Sequence, residues 1–195
     1  MIKRIIDLLF SFIGAFILVP FFIIISIAII IADGFPVFYF QKRVGKGGKD
    51  FFLLKLRTMK KNSDKKGLIT IGGRDPRITR TGFFLRRSKI DELPQLLNVL
   101  YGDMSLVGPR PEVRKYVELY SREQKRVLDV RPGITDPASL AYANENELLA
   151  GSKDPEKTYT SEIMPAKLKL SLDYIARRSN LNDMKIIFRT IFRTN

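Results

Sequence analysis

Two acids stand side by side at Asp91-Glu92, with Arg86 and Arg87 shortly before them and Arg110 shortly after. Adjacent carboxylates can act as a nucleophile beside a group that manages a proton, or as ligands of a hard cation such as magnesium. Guanidinium forks match phosphate oxygens and neutralise charge at a phosphoryl centre. Pro109-Arg110-Pro111 fixes the backbone on both sides of one arginine, an arrangement suited to presenting a cation to a phosphate or nucleotide. Structural roles remain open for the same residues. Ser88-x-x-Asp91 has the spacing of a capping box, and acids in a first helical turn complement the helix dipole. The arginine pair could equally form a solvated basic face.

Composition narrows the chemistry further. The 195 residues include no Cys, His or Trp. That excludes a disulfide scaffold, thiolate metal sites, Cys nucleophiles and His-based triads. Carboxylates, Arg, Lys, hydroxyls and backbone amides remain. The 34 Lys+Arg against 20 Asp+Glu give a net charge of +14. Lys3, Arg4, Asp7 and Asp33 cancel, so all of the +14 falls on residues 34–195. A neutral apolar end joined to a basic body predicts a membrane protein whose body meets anions.

The apolar end needs its own elements. Leu8–Ala32 is a run of 25 residues without a charge. As a helix it would be about 37 Å long, against a hydrocarbon core of about 30 Å. It is too long for a signal-peptide core, and Ala32-Asp33-Gly34 makes a poor cleavage site. Pro20 sits at its centre and predicts a break, leaving two halves each about 18 Å long. Basic residues flank both sides: Lys3 and Arg4 before, then Lys42, Arg43, Lys46 and Lys49 after. The positive-inside rule favours both flanks on one face, so the segment would enter and return. A kinked spanning helix is the alternative, since proline is tolerated in membranes.

The body reads as α+β and mainly helical. Val37–Arg43 and Phe51–Arg57 flank a Gly-rich turn and predict a small hairpin. Lys60–Lys66 reads as a loop. Helices are predicted over Thr79–Arg87, Glu92–Leu100, Glu112–Leu128, Pro165–Arg177 and Leu181–Phe192. The last carries Leu181, Met184, Ile187, Phe188 and Ile191 on one face beside Lys185, Arg189 and Arg193. Such a helix can lie in a membrane interface or pack on a core.

Longer motifs make the chain recognisable. KLRTM (Lys55–Met59), LRRSKIDELPQLLNVLYGDMSLVGPRPE (Leu85–Glu112), VRPGIT (Val130–Thr135) and LNDMKIIFRTI (Leu181–Ile191) closely resemble the bacterial sugar transferases called monotopic phosphoglycosyl transferases. The resemblance runs essentially end to end. It implies transfer of a phospho-sugar from a nucleotide sugar, usually a UDP-sugar, to polyprenyl phosphate, with release of UMP. It also implies Mg²⁺ and a covalent aspartyl phospho-sugar intermediate. Carried onto this chain, Asp91 would be the nucleophile, with Glu92 assisting in metal coordination or proton handling. Arg86 would bind a phosphate. Arg110, held by Pro109 and Pro111, would contact the nucleotide, and Lys55 and Arg57 would lie near the donor or lipid phosphate.

The resemblance implies a re-entrant membrane helix over residues 1–34. A catalytic domain over 35–195, with amphipathic interface helices, would sit on the cytoplasmic face of the bacterial inner membrane. Membrane lipids are the implied surroundings, nucleic acid is not an implied partner, and homodimerisation is left open. The chain departs from the family at two places. Val19 precedes the helix-breaking proline where Ser is common, and Asp136-Pro137-Ala138-Ser139 replaces the usual continuation after VRPGIT. Two other classes compete: a membrane-tethered nucleic-acid binder, prompted by the basic body, and a non-catalytic scaffold. The basic residues are dispersed and carry no nucleic-acid motif.

Overall fold

The structure, a computed structural model, describes residues 2–63, 67, 69–72 and 75–192. Part of the predicted loop (residues 64–66) and Arg193 of the predicted last helix lie outside the described residues. The chain is mainly helical with two small two-stranded sheets, as the α+β reading expects.

Helix α1 spans Ile2–Asp33, and helical structure continues through Pro20, where the sequence predicts a break. Its surface is apolar and open: Phe16 is 74% exposed and Ile31 is 80% exposed, whereas Asp7, Ser11 and Ile29 are buried. A helix with this surface suits hydrocarbon and not water.

Both ends of α1 are nonetheless fastened to the body. Near its start, Lys3 Nζ donates to Asp183 Oδ2 at 2.5 Å and to the Val107 carbonyl at 3.1 Å. Arg4 donates to the carbonyls of Val99 and Leu100, and Asp7 accepts from the Ser105 hydroxyl. At the other end, Ile29 packs with Val37, Leu56 and Leu85. The buried Arg57 guanidinium donates to the carbonyls of Asp33, Gly34 and Phe35, satisfying groups that a helix C-terminus leaves without partners.

Strands β1 (Phe38–Val44) and β2 (Asp50–Leu56) form the predicted antiparallel hairpin, with Phe38 opposite Leu56 and Lys42 opposite Phe52. Alternation along the strands gives it two faces. One carries Phe38, Phe40, Lys42, Phe52, Leu54 and Leu56; the other carries Tyr39, Gln41, Arg43, Phe51, Leu53 and Lys55. Helix α2 (Arg80–Arg87) and helix α3 (Gln95–Tyr101) bracket Asp91-Glu92. The Asn98 side chain on α3 pairs with the β2 backbone at Leu54 N and Phe52 O, fixing α3 to the hairpin edge.

Strand β3 (Ser105–Val107) pairs in parallel with β4 (Gly133–Thr135), a contact that their short apolar sequences do not announce. The predicted helix over Glu112–Leu128 is replaced by α4 (Arg114–Val117) and a 3-10 segment over Gln124–Asp129. Reciprocal bonds between Ser121 and Gln124, each side chain to the other's amide, turn the chain between them. The apolar spacing still delivers Val113, Tyr116, Val117, Tyr120 and Val127 to one core, because turns can bring those residues inward as well as a helix can.

Helices α5 (Pro137–Ala141), α6 (Glu145–Ala150) and α7 (Pro155–Thr158) are short and were not read from the sequence. Helices α5 and α7 start on side-chain caps, Asp136 accepting from Ser139 N and Asp154 from Lys157 N. Helices α8 (Met164–Arg177) and α9 (Asn180–Ile191) close the fold near their predicted positions.

The β3–β4 pair depends on two glycines. A Cβ on Gly133 would lie 2.1 Å from the Gly108 amide nitrogen, a clash with backbone that no rotamer change relieves. Gly133→Ala is expected to cost about 1–3 kcal/mol, read as a lower thermal midpoint in detergent. An unchanged midpoint would mean that the two strands part without penalty.

Candidate active site

The dyad is placed by an abrupt change of chain direction. The Ser88 hydroxyl donates back to the Phe84 carbonyl at 2.8 Å, ending α2. This corrects the capping-box reading, because Ser88 closes the preceding helix and caps nothing after it. Lys89 then adopts φ 54°, a left-handed conformation, and a single 3-10 turn covers Ile90–Glu92. Ile90 packs with the α1 residues around Ile29, so the dyad stands beside the apolar helix. Asp91 is only 6% exposed.

Asp91, Glu92, Arg86, Arg110, Pro109, Pro111, Lys55 and Arg57 all line one cleft of about 740 Å³. Tyr142, Tyr159 and Lys167 border the same space, as do Lys60 and Arg77. The eight candidates come from four separate stretches of sequence.

Within the cleft the two acids have opposite surroundings. Lys55 Nζ donates to Glu92 Oε1 at 2.8 Å. Arg110 grips Glu92 with both terminal nitrogens, Nη2 to Oε1 and Nη1 to Oε2 at 3.2 Å for the latter. Burial alone would raise the Glu92 pKa, but Arg110 and Lys55 outweigh it and hold the carboxylate well below its ordinary range. Asp91 receives no hydrogen bond from the described residues. Burial pushes its carboxyl up to about 6, against the attraction of Lys55 and with repulsion from Glu92 adding to the rise. The pull on Arg110 is reciprocal: Glu92 raises its pKa. For Lys55 burial wins over Glu92, and its pKa falls.

These roles are chemically distinct. Glu92 is an ionised, immobilised anchor. Asp91 is a desolvated carboxylate that accepts no hydrogen bond from the described residues, a setting compatible with attack on an electrophile. Among the described residues there is no cluster of three or more acids. Magnesium commonly takes one or two protein carboxylates and completes its shell with water and substrate phosphate. Asp91, with no hydrogen bond from the described residues, and Glu92, with a lone-pair position left after three hydrogen bonds from them, fit that pattern.

The supporting residues follow. Arg86 reaches Thr70 Oγ1 at 3.2 Å and keeps its place at the cleft wall. The Pro-Arg-Pro backbone is fixed from two sides, by Gly133 N to the Pro109 carbonyl and by Arg43 to the Pro111 carbonyl. Arg57 borders the cleft, but two of its nitrogens serve the carbonyls of Asp33, at the end of α1, and of Gly34 and Phe35 just after it. Sequence reasoning reached Glu112 as the end of the central motif but missed its partners Arg43 and Tyr159, joined as Arg43 Nη1 to Glu112 Oε1 at 2.8 Å and the Tyr159 hydroxyl to Glu112 Oε2. The signal was present in the hairpin alternation, which puts Gln41 and Arg43 on the face shared with Lys55.

The site therefore sets an acid with no hydrogen bond from the described residues beside a clamped one, in a basic cleft on a body fastened to an apolar helix. Residues 1–194 match the family described as bacterial sugar transferase, and the chain belongs to that family. A Bacillus subtilis relative, named a candidate undecaprenyl-phosphate N-acetylgalactosaminyl 1-phosphate transferase, is 50% identical over 122 residues, 63% of this chain and 68% of the relative. A Caulobacter vibrioides relative named UDP-glucose:undecaprenyl-phosphate glucose-1-phosphate transferase is 37% identical over 97% of this chain and 68% of its own length. An Aeromonas hydrophila relative, named UDP-N-acetylgalactosamine-undecaprenyl-phosphate N-acetylgalactosaminephosphotransferase, is 36% identical over 97% of this chain. The match covers only 43% of that longer protein.

The raised Asp91 pKa makes a stability prediction that needs no substrate. A carboxyl shifted from 3.8 to about 6 by folding costs nothing below the lower value and the full penalty above the higher one. Asp91→Asn should therefore stabilise the fold at pH 7, by up to about 3 kcal/mol. The gain should shrink as pH falls from 6 and vanish near pH 4. Thermal midpoints across that range, in EDTA, measure it; a pH-independent difference would refute the assignment.

Proposed function

We propose that this protein transfers a phospho-sugar from a UDP-sugar to polyprenyl phosphate, in two chemical steps at Asp91. The observation that carries the reading is the contrast within the dyad: Glu92 is locked by Lys55 and Arg110, whereas Asp91 is buried and accepts no hydrogen bond from the described residues. In the first step an Asp91 oxygen attacks the sugar-proximal phosphorus. A new P–O bond forms, the bond to the bridging oxygen breaks, and UMP leaves with that electron pair. In the second step a phosphate oxygen of the lipid attacks the same phosphorus. The acyl-phosphate bond breaks, and the Asp91 carboxylate is regenerated with a polyprenyl diphospho-sugar as product.

Neither attack needs a base, because carboxylate and phosphate are already anionic near neutral pH, so the absence of His is no obstacle. Arg86 and Arg110 offer guanidinium groups for the pyrophosphate oxygens, whose charge grows as UMP departs. Mg²⁺ held by Asp91 and Glu92 would neutralise further phosphate charge when bound. The relatives' names, which specify undecaprenyl phosphate and UDP-linked donors, support the substrate class.

Asp91→Asn is expected to lower UMP release by at least about 10³-fold, while Arg110 and Glu92 keep the cleft shaped. The assay is UMP formation from a UDP-sugar panel with undecaprenyl phosphate in vesicles. EDTA should abolish release and Mg²⁺ restore it. Full activity in the Asp91 variant would remove the nucleophile.

A lipid acceptor calls for the body to rest on a bilayer, and we propose that α1, although helical through Pro20, enters and leaves by the same cytoplasmic face. The fastening of both α1 ends to one body supports this topology, since a spanning helix would carry its ends apart. Single cysteines replacing Ile2 and Lys46 are clean probes, because the chain has no native Cys. Both should label from the cytoplasmic side of oriented vesicles; labelling from opposite sides would sink the re-entrant reading.

A further inference from the structure

The hairpin is a plate with two unlike faces. Its inner face carries Gln41, Arg43 and Lys55 into the cleft. On its outer face Phe40 is 60% exposed and Phe52 is 62% exposed, and Phe38 is partly open beside them. Three aromatic rings on one side of a two-stranded sheet leave an apolar patch that water disfavours. What covers it follows from continuity. Leu56 lies on this same outer face and is buried against Ile29 of α1. The patch thus begins where the apolar helix leaves the body and extends along the strands away from it. At its far end stand Lys42, ion-paired to Asp50 at 3.0 Å, and Arg114, also paired to Asp50. An apolar surface continuous with a bilayer helix and ending in charged groups has the profile of a membrane-interface contact.

We infer that the outer face of the β1–β2 hairpin rests in the acyl–headgroup boundary of the bilayer, with Phe38, Phe40 and Phe52 as its anchors. The consequence for the chemistry is one of distance. Side chains on opposite faces of a sheet are separated by little more than the backbone layer, so Lys55 stands within about 10 Å of the lipid surface. Pro36, Phe38 and Leu56 line the cleft as well. The cleft therefore opens where the lipid-facing surface begins, at the level of a lipid phosphate. The inference rests on the reading of α1 as a bilayer segment, and its test scores that reading separately.

The chain has no Trp, so single Phe→Trp variants report on one site each. Phe40→Trp, Phe52→Trp and, within α1, Phe16→Trp would be placed in the full chain. Each would be reconstituted in vesicles of phosphatidylethanolamine and phosphatidylglycerol, with and without bromine on the acyl chains near the headgroup. A hairpin face buried about 5–10 Å into the boundary should lose about half of its Trp emission to such lipids. Quenching of Phe16→Trp, with bromine placed deeper, reports α1 alone. If Phe16→Trp is quenched while Phe40→Trp and Phe52→Trp are not, the hairpin inference is wrong and the α1 reading stands. If all three escape quenching, the membrane reading of α1 falls and takes this one with it. Emission from Phe40→Trp that shifts with protein concentration, without lipid quenching, would assign the patch to a second copy and overturn the inference.

Discussion

Glu92 is held by two cations at once, and much of the architecture is needed to bring them there. Lys55 comes from β2, Arg110 from the loop after β3, and Glu92 from a single turn after α2. A buried carboxylate with one partner missing would carry a large desolvation penalty, so the three segments are mutually dependent. The hairpin must present Lys55 inward. The β3–β4 pair must hold the Pro-Arg-Pro backbone. The left-handed Lys89 must end α2 early enough to turn the acids into the cleft.

That arrangement leaves Asp91 as the residue whose needs are not met. It is as buried as many core side chains and receives no hydrogen bond from the described residues, a state that burial makes unfavourable for its charged form. Functional sites often retain such unmet interactions, because a carboxylate satisfied by donors would be a poorer nucleophile. The compensating interactions lie next door, in the Glu92 clamp and in the packing of Ile90 on α1. Through Ile90 the dyad and the apolar helix share one packing cluster.

Much of the site was legible in the sequence because it is built from local signals. Asp91-Glu92, the bracketed Arg110 and the absence of His and Cys are readable without a fold, and they confine the chemistry to carboxylates and cations. The hairpin was readable from strand propensity and a glycine turn, and α8 and α9 from their periodicity. The long helix after Glu112 was misread because apolar spacing satisfied a helical template, while Ser121 and Gln124 bonded each other and turned the chain. The three short helices escaped because each is only about one turn long, too short for a periodic pattern to register.

Residue types and their order alone determined a basic body, an apolar helix and a pair of adjacent acids flanked by arginines. They could not tell which acid is clamped and which is left free, since Asp91 and Glu92 differ by one methylene and sit side by side. Tertiary structure decided that, by delivering Lys55 and Arg110 to Glu92 and burying Asp91 where no described residue donates to it. It also turned Arg57 toward the end of α1 and joined Arg43, Glu112 and Tyr159 across long separations. Partners such as these are set by where the chain returns in space, and that depends on packing summed over the whole molecule and not on any local run of residues.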